Sequence, residues 1–304
     1  MYDTIIIGAG PAGISASVYA KRYNLDFLLM EKNYISGGKI LYPHWIENYI
    51  GFPKGISGSS LTDLFTEHLD ILGIKKINAE CVQIKKFGSY FEVQDQKMNI
   101  YQTKTIILAR GTIERSLDIP GEEKFRGKGV SSCATCDAPF FKGKTIATIG
   151  GGDSALSETI YLSEYAGLVY LIHRRDTLRG AEILGAQISS NPKIKPYLGY
   201  VALEIIGDDF VEEITVQNIL TKAETKLKVD GIFIFAGYEP KTDFIIDSVQ
   251  LDDKGFIITN EDMQTSIPGL FAAGDIRSKH LRQIITAVSD GAIAAQSIRE
   301  IIKG

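Results

Sequence analysis

An α/β architecture of two similar halves, one inserted into the other, is what the 304-residue sequence predicts. Three observations predict it. A strand, a glycine turn and a helix open the chain; the same order returns from residue 145; and the closing segment carries no glycine turn of its own. The length suits about two domains. A content of 44% hydrophobic and 23% charged residues is ordinary for a globular chain.

The first half begins Thr4-Ile5-Ile6-Ile7, a β-branched run that reads as a strand. Gly8-Ala9-Gly10-Pro11-Ala12-Gly13 follows, then a helical stretch over 14–22 and a second apolar strand, Phe27-Leu28-Leu29-Met30, ending at Glu31. This order is the βαβ dinucleotide-binding fingerprint of a Rossmann-like domain. Gly8 makes the tight turn, Gly10 lets the backbone approach a pyrophosphate, and Gly13 lets the helix lie close on the strand. The helix N-terminus adds amides and the positive end of its dipole. Glu31 is placed to accept hydrogen bonds from ribose hydroxyls. A glycine pattern alone is weak, because any strand-to-helix turn can show it; here the flanking elements and the acid all fall in place.

The second half repeats the pattern in Thr145-Ile146-Ala147-Thr148-Ile149, Gly150-Gly151-Gly152-Asp153-Ser154-Ala155, a helix over 156–165 and the strand Leu168-Val169-Tyr170-Leu171-Ile172. Glu31 stands 23 positions after Gly8, and His173 stands 23 after Gly150, with Arg174 and Arg175 next and Arg179 one helical turn further. An acid at this place selects a free 2′-hydroxyl, whereas arginines pair bidentately with a 2′-phosphate. The first site therefore fits FAD or NAD, and the second fits NADPH. Most basic runs are only solvated loops; the register with Glu31 favours the nucleotide role.

Each half also ends alike. Alternating strands over 81–93, turning at Gly88-Ser89, lead to a strand over 105–111; those over 200–216, turning at Gly207-Asp208-Asp209, lead to one over 231–237. Two similar β-rich insertions in two similar βαβ units indicate a duplicated nucleotide-binding domain. Crossings are expected at the glycine- and proline-marked segments Asp118-Ile119-Pro120-Gly121 and Gly237-Tyr238-Glu239-Pro240-Lys241-Thr242. Thr265 to Asp275 reads as a strand ending in Gly274-Asp275, and 283–302 as a long alanine-rich helix completing the first domain. The expected domains are 1–113 with 243–304, binding FAD, and 114–242, binding NADPH.

Three cysteines are present: Cys81, Cys133 and Cys136. An odd count with two of them close together is no secreted disulfide framework and reads as a redox or metal pair in a reducing compartment, which predicts a cytoplasmic location. In Cys133-Ala134-Thr135-Cys136-Asp137 the spacing lets the sulfurs meet in a short disulfide on a helical turn. Asp137 is placed to exchange a proton with a departing thiolate. A CxxC is equally half a zinc site, but zinc needs four ligands. There is no second CxxC, and His44, His68, His173 and His280 form no HxxxH pair. An unreactive buried thiol pair is the third reading. Cys81, alone on an expected strand, reads as a small core residue. Two nucleotide sites and one dithiol specify a chain of electron carriers. Hydride passes from nicotinamide to flavin, the reduced flavin opens the disulfide, and the dithiol reduces an external disulfide by exchange.

Taken in order, these motifs resemble the low-molecular-weight, prokaryotic-type thioredoxin reductases along essentially the whole chain. The resemblance rests on Gly8 to Gly13, Cys133 to Asp137, Gly150 to Ala155, His173-Arg174-Arg175 with Arg179, Phe271-Ala272-Ala273-Gly274-Asp275 and Arg282-Gln283. It implies two domains of the three-layer ββα type, the NADPH domain inserted into the FAD domain, and a homodimer. It further implies that Cys136 lies against the flavin, that Cys133 attacks the protein substrate and that Asp137 is the acid–base partner. Asp275, Arg282 and Gln283 would sit along the FAD, with Asn48 on the flavin side. Because disulfide and nicotinamide ride on one domain and both need the flavin, the resemblance also implies that the NADPH domain rotates so that they take turns. Two positions depart from the pattern. Lys39 follows Gly37-Gly38 where glutamine is usual, and Arg110 interrupts an Ala-Thr-Gly at the first crossing. A lysine beside the flavin stabilises its reduced anionic form; otherwise it is a solvent-facing lysine. No mechanism follows for Arg110, and His44-Trp45 reads as packing.

The substrate class is a thioredoxin or glutaredoxin-like protein. Three other readings stay open: a dithiol oxidase feeding oxygen, a ferredoxin-fed reductase on the same scaffold, and a nucleotide-binding sensor with a structural CxxC. The intact Gly150–Ala155 loop weighs against the ferredoxin reading. A net charge of −4 argues against a nucleic-acid or anionic-membrane binder. No apolar run reaches the ~20 residues that span a bilayer. The strand expected directly after Met1 has no basic n-region, which predicts no signal peptide.

Overall fold

The structure is a computed structural model describing residues 1–41, 45–240, 242, 244–245 and 248–303. His44 and Lys241, singled out above, lie outside the described residues. The chain enters β1 (Tyr2–Ile7), turns through the glycines into α1 (Pro11–Arg22) and returns as β2 (Phe27–Glu31), parallel to β1. Helix α2 (Gly58–Ile71) is capped by Ser57, whose hydroxyl accepts from the Ser60 amide. It leads to β3 (Lys76–Asn78), the hairpin of β4 (Cys81–Phe87) and β5 (Tyr90–Asp95), and β6 (Ile100–Leu108). The order β3-β2-β1-β6-β5-β4 is parallel from β3 to β6 and antiparallel beyond.

After β7 (Thr112–Glu114) a second unit begins. Its elements are β8 (Val130–Ser131), α3 (Ala134–Asp137), β9 (Thr145–Ile149), α4 (Asp153–Tyr165), β10 (Leu168–His173), α5 (Glu182–Ser190) and β11 (Ile194–Leu198). An antiparallel sheet of β12 (Tyr200–Gly207), β13 (Val211–Asn218) and β14 (Glu224–Lys228) follows, then β15 (Gly231–Ile234). Strands β11-β10-β9-β15-β8 are all parallel. The chain returns through β16 (Tyr238–Pro240), adds β17 (Leu270–Ala272) parallel to the end of β6, and closes with α6 (Ile284–Lys303). Two compact units result: residues 1–113 with 239–304, and 114–238.

Side chains alternate across each parallel strand, so one strand feeds two cores. In the first unit Ile6, Leu29, Ile107 and Phe271 pack on Ala16 and Ala294 of the helices, while Ile5, Met30 and Leu108 pack on Ile84, Phe91 and Val93 of the hairpin. In the second, Ile146, Leu171 and Phe233 meet Leu156 and Ile188, while Ile149, Ile172 and Ile234 meet Ile214, Val216 and Leu227. Each unit is therefore sheet, sheet and helix: the expected α/β, three-layer ββα arrangement. Among the described residues no helix is long and apolar enough to cross a membrane.

Several elements differ from expectation. Both fingerprint helices start earlier, at Pro11 and Asp153, because proline at the first helical position is preorganised and an acid suits the first turn. The segment Asp118 to Gly121 lies inside the second unit. Its Pro120 carbonyl accepts from Ile205 N (2.9 Å), and Glu122 gathers the Leu117 and Asp118 amides. Helices α2 and α5 and strand β14 had no counterpart in the reading of the motifs.

Candidate active site

In the first loop Gly8 has φ +107°, and a Cβ there would lie 2.5 Å from the Ala109 carbonyl. A Cβ on Gly13 would collide with the Gly8 carbonyl, so α1 meets the turn backbone to backbone. Around Gly10 the nearest atom to such a Cβ is the Gly37 oxygen at 3.9 Å, which leaves a cradle open for a phosphate. Pro11 and Ala12 form the first turn behind it. Glu31, buried at the end of β2, accepts from Ala9 N (2.7 Å) and Asn33 N (2.9 Å). Its remaining lone pairs are available to ribose hydroxyls.

The sheet order puts β2 on one side of β1, with β6 and then β17 on the other. A dinucleotide lying across the carboxyl ends of these strands has its adenosine half toward Glu31 and its other half toward the ends of β6 and β17. On that second side stand Gly38 (φ +57°), Lys39, Gly274 and Asp275. Asp275 Oδ1 is buried and has no hydrogen-bond partner among the described residues. An orphaned buried acceptor is costly, and a ligand hydroxyl there would satisfy it. Lys39 Nζ donates to Thr112 Oγ1 and lies 3.8 Å from Asp275 Oδ2, so it does not point simply to solvent. Arg282 donates toward the Asp275 and Arg277 carbonyls (3.5 and 3.3 Å) and stacks on Phe256 at 3.9 Å. Asn48 Nδ2 donates to Gln283 Oε1 (3.0 Å), which joins two residues far apart in sequence. The open glycine cradle, the acid on β2 and the orphaned acceptor fit FAD.

In the second unit Gly150 has φ +155°, and a Cβ on Gly152 would meet nothing within 4 Å. Asp153 Oδ1 accepts from Ala181 N (2.7 Å), and the Gly151 carbonyl accepts from Arg179 N (2.7 Å), which ties the arginine segment to the glycine loop. Ser154 is exposed and Ala155 buried in the first turn of α4. His173 is only 4% exposed, and its ring lies so close under the loop that a Cβ on Gly151 would be 2.5 Å from Nδ1. Burial, and then the charges of Arg179, Arg175 and Arg174, hold its pKa below the usual value, so the ring is neutral at pH 7. Arg174, Arg175 and Arg179 are exposed. An open glycine loop bordered by three arginines fits a 2′-phosphorylated dinucleotide.

Cys133 and Cys136 form a disulfide, S–S 2.06 Å, across the start of α3. Cys133 Sγ accepts from Cys136 N (3.3 Å), and its carbonyl accepts from Asp137 N (3.2 Å). Cys136 is exposed, while Cys133 and Asp137 are half-buried. Cys81 is buried in the hairpin core, which pushes its thiol pKa up to about 12 and leaves it unreactive.

Asp290 and Thr112 escaped the motif reading. Asp290 on α6 accepts from Gly274 N (3.0 Å), Lys279 (2.9 Å) and Arg277 (2.9 Å), fixing the loop that carries Asp275. Its only signal was an acid inside an otherwise alanine-rich helix. Thr112 gave none. Arg110 now has a structural role: it donates to the Cys81 carbonyl (3.1 Å), pairs with Glu80 and lies 4.6 Å above the Phe244 ring.

Comparison with known proteins agrees with this arrangement. Residues 2–291 match the family described as pyridine nucleotide-disulphide oxidoreductase. A thioredoxin reductase of Bacillus subtilis is 39% identical over 304 residues, covering 100% of this chain and 95% of that protein. One from Peptoclostridium acidaminophilum is 38% identical over 309 residues, covering 100% and 98%. The crystal structure of Lactococcus lactis thioredoxin reductase in its FR conformation superimposes with a TM-score of 0.96 at 40% identity, covering 100% of this chain and 99% of that one. The chain belongs to the pyridine nucleotide-disulphide oxidoreductase family, and its fold and its formed dithiol pair are those of a flavoprotein disulfide reductase.

Proposed function

We propose that the chain is an NADPH-dependent thioredoxin-disulfide reductase that passes electrons through FAD and the Cys133–Cys136 disulfide to thioredoxin. The observation that carries this reading is a closed CxxC disulfide within the unit that bears the arginine-bordered glycine loop. FAD, when bound, links the two-electron chemistry of hydride to that of the disulfide. The chain's own residues do the rest. Gly8, Gly10 and Gly13 admit the pyrophosphate, Glu31 orients the ribose, and Asp275 with Arg282, Gln283 and Asn48 orients the other half. Gly150, Gly152, Asp153 and Ser154 receive the NADPH pyrophosphate, and Arg174, Arg175 and Arg179 select its 2′-phosphate.

Two electrons break the Cys133–Cys136 bond and leave a thiol and a thiolate, with Asp137 as the proton carrier. The Cys133 thiolate attacks the substrate disulfide, forming a mixed disulfide with one substrate sulfur and releasing the other as a thiolate. Cys136 then displaces the bound sulfur and restores the internal bond. Glutaredoxin-like proteins are a further substrate class. A homodimer is part of the reading, and Ile285, Ile293 and Ile301 on α6 are 36% to 52% exposed and available to a second copy. A reducing, cytoplasmic location suits a protein whose working dithiol must be regenerated.

The test is anaerobic titration of the FAD-loaded protein with NADPH, followed by oxidised thioredoxin. The flavin should bleach and recover once per thioredoxin disulfide. C136S should bleach with NADPH yet fail to reduce thioredoxin. Turnover in C136S would sink the relay.

A further inference from the structure

Among the described residues, four cations and two carboxylates gather around Asp275. Lys39 lies 3.8 Å and Lys279 3.9 Å from its carboxylate, Arg277 and Lys279 pair with Asp290 at 2.9 Å, and Arg282 donates toward the Asp275 carbonyl. Arg277 and Lys279 are taken up by Asp290, and Arg282 lies flat on Phe256. Lys39 is placed differently. It leaves the turn that stands over the fingerprint loop, where Gly37 N donates to the Ala9 carbonyl (2.7 Å) and a Cβ on Gly38 would lie 3.4 Å from Gly10 Cα. From there it reaches Thr112, after β6, and Asp275, after β17. Its side chain therefore spans the half of the cleft away from Glu31, with 30% of its surface exposed.

We propose that Lys39 sets the redox poise of the flavin. The proposal rests on the first site taking FAD. A neutral oxidised flavin that accepts hydride gains two electrons and one proton and so carries one net negative charge. A cation held beside it stabilises that form over the oxidised one. Removing the Lys39 charge therefore disfavours the reduced form relative to the oxidised one.

The experiment compares wild type, K39Q and K39R as FAD-loaded proteins, without turnover. Sulfite, which adds to oxidised flavin to give an anionic adduct, is titrated by loss of the yellow absorbance. The flavin midpoint is then measured against a reference dye. K39Q should retain FAD, bind sulfite about tenfold more weakly and show a midpoint lower by about 30 mV, the equivalent of tenfold for a two-electron couple. K39R should stay within about twofold of wild type. A K39Q protein that holds FAD with unchanged sulfite affinity and midpoint overturns the proposal and leaves the FAD site standing. Wild-type protein that takes up no FAD overturns both.

Discussion

Replacing Arg174 and Arg175 together by alanine should erase a preference for NADPH over NADH. Both guanidinium groups are exposed just past the end of β10, and neither forms an ion pair with another described residue. They are therefore available to a 2′-phosphate without first breaking a protein contact. A hydrogen bond to a charged group contributes about 1.5–3 kcal/mol, and solvent exposure places both arginines at the low end. The pair then supplies about 3 kcal/mol, or on the order of 100-fold in the ratio of kcat/KM for NADPH to that for NADH. The assay is steady-state oxidation of each cofactor with saturating thioredoxin, at low and at physiological salt, since screening should narrow the gap. An equal loss with both cofactors would refute the phosphate role. Because His173 is held neutral by burial and by its arginine neighbours, the preference should also stay flat between pH 7 and 8. A preference that collapses over that interval would mean that His173, not the arginines, carries the charge.

Two further outcomes follow from buried charge. Glu158 on α4 has a buried Oε2 with no hydrogen-bond partner among the described residues, and burial pushes its pKa up to about 7. The folded chain keeps a proton there that the unfolded chain loses, so this stabilisation is present in acid and fades as pH rises toward 7. E158Q should accordingly be more stable than wild type at pH 8, by about 1–3 kcal/mol in urea unfolding, and should gain nothing near pH 4; a loss at pH 8 contradicts the burial argument. R110A removes the bond to the Cys81 carbonyl, the Glu80 pair and the stack on Phe244 together. Its urea midpoint should drop by the equivalent of about 2–3 kcal/mol with FAD bound, and an unchanged midpoint would show that Arg110 is dispensable.

Much of the site was legible because its parts are local. Gly8, Gly10 and Gly13 are spaced by the geometry of one turn, and Cys133 and Cys136 by one turn of helix, so sequence distance stands for spatial distance. The common offset from glycine to Glu31 and to His173 was legible for the same reason. What stayed hidden depends on contacts between distant segments. Lys39 gains meaning only from Thr112 and Asp275, and Arg110 only from Glu80 and Phe244. The common offset also concealed a difference. Glu31 turns its carboxylate to the loop amide, whereas His173 lies beneath its loop with the ring buried, and the arginines after it are the exposed groups. The segment expected at the first crossing, Asp118 to Gly121, lies inside the second unit because Pro120-Gly121 marks a turn within a unit as readily as a boundary between units.

The strand β17 and the helix α6 bear on how the chain is made. Gly291 packs so tightly under α1 that a Cβ there would overlap the Ala12 carbonyl, and Asp290 beside it holds the Gly274 amide. During synthesis the segments carrying Gly8 and Glu31 emerge first, but the acid and the glycine loop they work with emerge last. The inserted unit is contiguous, and all of its parallel strands are present before β17 leaves the ribosome. The nascent chain can thus fold its disulfide-bearing unit while the earlier half waits for β17 and α6 to complete its sheet and helix layer.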